Sequence, residues 1–89
     1  MNIERDHLEA AHKHSIFNRT EIVQSKLCGC FYCLQIFKPN EVMEWTDEDD
    51  PRVMTALCPH CGIDSVLGDG SGFPAGSEDF LKAMYQRYF

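Results

Sequence analysis

Two cysteine pairs, Cys30-Phe31-Tyr32-Cys33 and Cys58-Pro59-His60-Cys61, constrain this chain more than any other feature. Each places two thiols two residues apart, so both sulfurs can point into one tight turn, and two such turns supply the four corners of a tetrahedral metal site. Cys30, Cys33, Cys58 and Cys61 are therefore the expected ligands of one structural Zn2+, because tetrahedral thiolate sites suit that metal. Four thiolates close the coordination sphere and leave no position for activating a water. With 89 residues there is room for a single domain, 1–89, whose small core needs a staple. A structural zinc supplies apparent free energies of about 10–16 kcal/mol in small modules, most of it expressed as folding.

A disulfide framework is the competing use of five cysteines. The opening MNIERDHLEAAHKH has no apolar stretch of the signal-peptide kind, and no run approaches the roughly 20 apolar residues of a membrane span. A reducing, cytoplasmic setting is expected, where Cys-x-x-Cys pairs favour metal. The net charge is −6 and is unevenly spread: the acids and bases of residues 1–27 balance, whereas residues 28–61 carry Glu41, Glu44, Asp47, Glu48, Asp49 and Asp50 against only Lys38 and Arg52. A metal held by four thiolates adds further negative charge there, so nucleic acid is a disfavoured partner.

Residues 1–27 read as a helical segment. Ile3, His7, Ala10, His14 and Phe17 fall on one stripe of a first helix over about 3–16. Asn18 as N-cap, Glu21 three residues on, and Phe17 with Ile22 as a hydrophobic staple predict a second helix over 19–27. Leu34–Phe37, Val42–Trp45 and Arg52–Leu57 are β-prone runs separated by turn-rich intervals, which predicts a three-stranded antiparallel sheet within 28–66. The glycine-rich stretch 67–76 is expected to be a loop, and Asp69-Gly70-Ser71-Gly72 lacks the lysine of a phosphate-binding loop. Ser77 should cap a C-terminal helix over 77–89, with Leu81, Met84, Tyr85 and Tyr88 on one face beside Phe80.

Cys58-Pro59-His60-Cys61-Gly62 resembles the Cys-Pro-x-Cys-Gly knuckle of zinc ribbons and rubredoxins, in which the glycine lets the backbone bend so that amides approach the sulfurs. The first pair has Leu34 where such a knuckle often has glycine. Together with Cys28-Gly29-Cys30-Phe31-Tyr32-Cys33 and Thr55 to Val66, the chain is similar to small uncharacterised bacterial proteins with a zinc ribbon. The resemblance implies an α+β zinc ribbon, two knuckles on a three-stranded sheet, packed by N-terminal helices and a C-terminal helix.

The expected function is that of a non-enzymatic module mediating protein–protein interaction, with no catalytic residue. Its surface would be Phe31, Tyr32 and the acidic loop 47–50, facing a basic partner, or the aromatic C-terminal helix, which would also suit a homodimer. Three alternatives compete. Cys28, or His7, His12 and His14, could serve an enzyme beside the structural zinc, with Cys28 also able to replace Cys30 as a ligand. No histidine pair has the i,i+4 spacing that chelates on a helix, and an acidic surround does not activate a thiol. Rubredoxin-like iron (Fe), the runner-up metal on that resemblance, would give electron transfer, and nucleic-acid binding would be strongly salt-dependent.

Overall fold

In the computed structural model, residues 5–46 and 54–89 are described. Three helices and two small antiparallel sheets follow one another: α1 (Arg5–His12), α2 (Arg19–Gln24), β1 (Cys28–Cys30), β2 (Ile36–Phe37), β3 (Trp45–Thr46), β4 (Thr55–Ala56), β5 (Val66–Gly68) and α3 (Glu78–Tyr88). Short 3₁₀ turns cover Lys13–Ser15, Pro39–Glu41 and Asp69–Ser71.

The mixture of helix and antiparallel strand expected from the sequence is present, but the strands assort differently. One sheet has the order β2-β1-β5, and the second pairs β3 with β4. The three predicted runs contribute β2, β3 and β4, which do not form one sheet. β1 and β5 escape a pattern reading because each is three residues long and buried throughout, so neither alternates. β5 also takes Leu67 and Gly68 from the predicted loop, and the second helix stops at Gln24 instead of residue 27.

The central sheet separates two apolar layers. On one side Leu8, Ala11, Phe31, Leu67, Ala75, Phe80, Leu81 and Met84 form a core with α1 and α3. On the other, Ile22, Phe37, Val42, Ala56 and Val66 pack with the sulfurs of Cys28, Cys30 and Cys58. The layers pass very close to β1 at Gly29, where a Cβ would press on the Ala75 carbonyl and lie 2.8 Å from Leu81 Cδ1. Ser77 caps α3 as expected, its hydroxyl accepting from Phe80 N at 3.3 Å. On α3, Phe80, Leu81 and Met84 are buried within the chain, whereas Tyr85 on the same face and Phe89 beyond the helix are exposed.

Asn18 does not use its side chain as a helix cap. It is 2 % exposed and ties the two sheets together: Nδ2 donates to Val66 O at 2.8 Å and His14 O at 2.9 Å, and Oδ1 accepts from Ala56 N at 3.1 Å. The staple does not form a buried pair either, since Ile22 is buried but Phe17 is more than half exposed, with φ of 51°. The glycine-rich stretch is pinned rather than loose. Asp69 accepts from the backbone N–H groups of Lys26 and Leu27 at 2.9 and 3.2 Å, and Ser25 Oγ accepts from Gly70 N at 2.9 Å.

A four-thiol candidate metal centre

The two Cys-x-x-Cys turns repeat the same backbone design. In the first, Cys30 N donates to Gln35 O at 3.0 Å and Leu34 N to Cys30 O at 2.9 Å; in the second, Cys58 N donates to Ile63 O and Gly62 N to Cys58 O, both at 2.9 Å. Each turn closes through a residue with positive φ, 66° at Leu34 and 81° at Gly62. Leucine thus accepts the left-handed geometry that the glycine of the second turn adopts without a side-chain penalty. It is partly buried against the α1–α3 core, a contact that glycine would not make.

These paired turns bring the sulfurs of Cys30, Cys33, Cys58 and Cys61 within 4.8 Å of one another. Cys30 Sγ lies 3.6 Å from Cys61 Sγ, and Cys33 Sγ 3.6 Å from Cys58 Sγ. A tetrahedral ion with metal–sulfur bonds of about 2.3 Å needs sulfur–sulfur edges of about 3.8 Å, so the donor set fits one metal ion. Backbone N–H groups point at the sulfurs, Tyr32 N and Cys33 N to Cys30 Sγ at 3.4 and 3.5 Å and His60 N to Cys58 Sγ at 3.3 Å. Such dipoles offset the charge that thiolates carry.

Without a metal the thiols of Cys30, Cys33 and Cys61 are unequal. Burial pushes Cys33 up to about 12 and Cys61 up to about 11, with the neighbouring sulfurs adding to the rise. Burial acts on Cys30 in the same direction, but hydrogen bonds from the Ser65 hydroxyl, from the Cys33 and Tyr32 N–H groups and from Cys61 outweigh it and bring Cys30 below its ordinary value. Ser65 Oγ is 3.1 Å from Cys30 Sγ and is buried. It sits beside the site without any spacing signal in the sequence to mark it.

The other candidate residues lie elsewhere. Cys28 is fully buried, and burial together with the Asp69 charge pushes its thiol up to about 12, the opposite of an activated nucleophile. It is not part of the four-sulfur group. His7 meets the rings of Phe73 and Phe80 edge-on, His12 stacks on Tyr88 with centroids 3.9 Å apart, and His14 Nδ1 bonds the Glu21 carboxylate at 2.8 Å. Among the described residues the histidines form no metal-competent group. His60 is exposed in its turn.

The expected partner surface also changes. Phe31 is a core residue at 2 % exposure and is not available to a partner, whereas Tyr32 is 41 % exposed and packs on Tyr85 and Phe89. The acidic loop 47–50 lies outside the described residues. Trp45 is partly buried, with the Arg19 guanidinium 5.7 Å above its ring. No described helix is long and apolar enough to cross a membrane. Comparison with models of known protein families, with characterised proteins and with solved structures gives no match to this chain.

Proposed function

We propose that this chain is a zinc-ribbon-type, non-enzymatic module in which one structural Zn2+, held by Cys30, Cys33, Cys58 and Cys61, braces a surface for binding another protein. The observation that carries the reading is the convergence of four sulfurs from two turns of matching hydrogen-bond pattern. Four protein donors satisfy tetrahedral zinc, and a closed site has no place for substrate or water. The inert setting of Cys28 and the engagement of His7, His12 and His14 by neighbouring side chains also favour a non-catalytic role. The free thiols suit a reducing, cytoplasmic compartment.

Metal analysis of protein purified without chelator, combined with its visible spectrum, tests the metal. The expected result is one zinc per chain and a colourless protein, with Cys58→Ser losing the metal. Bound iron with thiolate-to-iron absorption would favour electron transfer instead, and a folded, metal-free protein would overturn the proposal.

A further inference from the structure

The second sheet has two outer edges, and among the described residues only that of β4 is covered. Leu57 N donates to Glu44 O at 3.1 Å, which makes Trp45 and Ala56 a pair whose own N–H and C=O groups point away from each other. On the β4 side those outward groups are occupied: Ala56 N donates to Asn18 Oδ1 and Met54 O accepts from Arg19 N at 3.0 Å. On the β3 side the outward groups belong to Trp45 and, with the alternation carried back through Glu44 to the residue two before the strand, to Met43. Neither residue has a hydrogen bond across that edge among the described residues.

Side chains beside this edge make a receptive surface. Met43 is 79 % exposed, and together with Glu44, Trp45, Met54 and Leu57 it lines a groove of about 360 Å³; Met43, Glu44 and Leu57 also line a second one beside Cys58 and Pro59. Glu41 and Glu44 are exposed and make no ion pair with any described residue. β2 offers less: Ile36 is its single outward-facing residue, between Gln35, which bonds back to Cys30, and Lys38, whose N–H is tied to the Glu41 carboxylate at 2.7 Å.

We propose that the outer edge of β3 is a docking site for an extended segment of a partner protein that alternates apolar and basic residues. The segment adds as a third strand beside β3, exchanging backbone hydrogen bonds with Met43 and Trp45, setting apolar side chains into the Met43–Leu57 groove and basic ones against Glu41 and Glu44. Charge decides between occupants. A second copy pairing edge to edge would bring its own Glu41 and Glu44, and a net charge of −6, against the same acids. The inference deepens the protein-binding role proposed above and rests on that reading.

Trp45 is the sole tryptophan of the chain, so its fluorescence reports on this edge directly. The zinc-loaded protein, its metal content confirmed by mass spectrometry, is titrated in 150 mM salt with a capped octapeptide of alternating lysine and valine. Lysine–proline and glutamate–valine octapeptides of the same length serve as controls. The expected result is saturable binding of the lysine–valine peptide, slowed hydrogen exchange at the Met43 and Trp45 amides, and at least tenfold weaker binding of both controls. Met43→Pro, which removes an edge donor, and Glu44→Lys should each weaken binding at least tenfold while circular dichroism and metal content stay unchanged. Equal binding of the lysine–proline peptide, protection elsewhere than at residues 43–45, or concentration-dependent self-association through this edge would overturn the proposal. Zinc retention alongside such a failure would leave the zinc module standing and remove only the edge; absence of zinc would count against the module itself.

Discussion

Replacing Asn18 with alanine should destabilise the protein by about 3 kcal/mol, although the residue adds no apolar side chain to either layer and carries no charge. The side chain makes three hydrogen bonds, to Val66 O, His14 O and from Ala56 N, and is 2 % exposed. Each bond contributes about 1 kcal/mol net, and a buried donor or acceptor left without a partner costs about 1–3 kcal/mol. Water entering the vacated space would recover part of that cost, which holds the total near the sum of the three bonds. Urea unfolding followed by Trp45 fluorescence, in a buffer that fixes free Zn2+ so that metal release contributes equally to every variant, measures the difference. Gln24→Ala, at an exposed position of α2, is the control and should change stability by less than about 0.5 kcal/mol. Asn18→Asp keeps the acceptor for Ala56 N but turns a carboxylate oxygen toward two carbonyls, so it should not recover stability. If Asn18→Ala matched the Gln24→Ala control, the idea that this amide holds the two sheets together would be wrong.

Zinc affinity should fall as pH falls. The thiols of Cys33 and Cys61 lie near 12 and 11 in the metal-free chain, so they are protonated at neutral pH and metal must displace their protons. Competition titrations between about pH 6 and 8 should therefore show proton release and a slope of at least two protons per zinc; a pH-independent affinity would contradict this. Gly62→Ala should cost about 1 kcal/mol, since φ is 81° and no atom lies near the added Cβ, so the cost is conformational alone. Thermal melts would register it as a fall of about 4–8 °C. Cys28 should resist alkylation in the folded, zinc-loaded protein and react on unfolding, as read by mass spectrometry, because it is fully buried and its thiol is pushed up to about 12.

The sequence carried the candidate metal centre more clearly than the architecture around it. A Cys-x-x-Cys turn is a local object: both thiols, the closing hydrogen bonds and the positive-φ residue lie within six residues, so spacing alone announces it. The strands are not local. Cys28-Gly29-Cys30 becomes β1 because it pairs with Gly68-Leu67-Val66, about 40 residues away, and neither tripeptide has a β signature of its own. Asn18 shows the same contrast, since its neighbours advertise a helix cap while its partners Ala56 and Val66 are 38 and 48 residues distant. Phe31 looked presentable because it lies inside a surface turn. The side of the sheet it faces was set by α1 and α3, which no turn motif encodes.

The division of the interior by the central sheet has a kinetic consequence. All three buried sulfurs of the core belong to the layer shared by α2 and the second sheet, whereas the α1–α3 layer contains no cysteine. Under the proposed zinc role, chelation would strike one half of the molecule and leave the other with its apolar contacts. A stripped chain should pass through a lopsided intermediate in which α1 and α3 still hold Leu67 and Phe80 while Trp45 is already exposed. Its lifetime would set how long the protein can wait for a metal ion before degradation overtakes refolding.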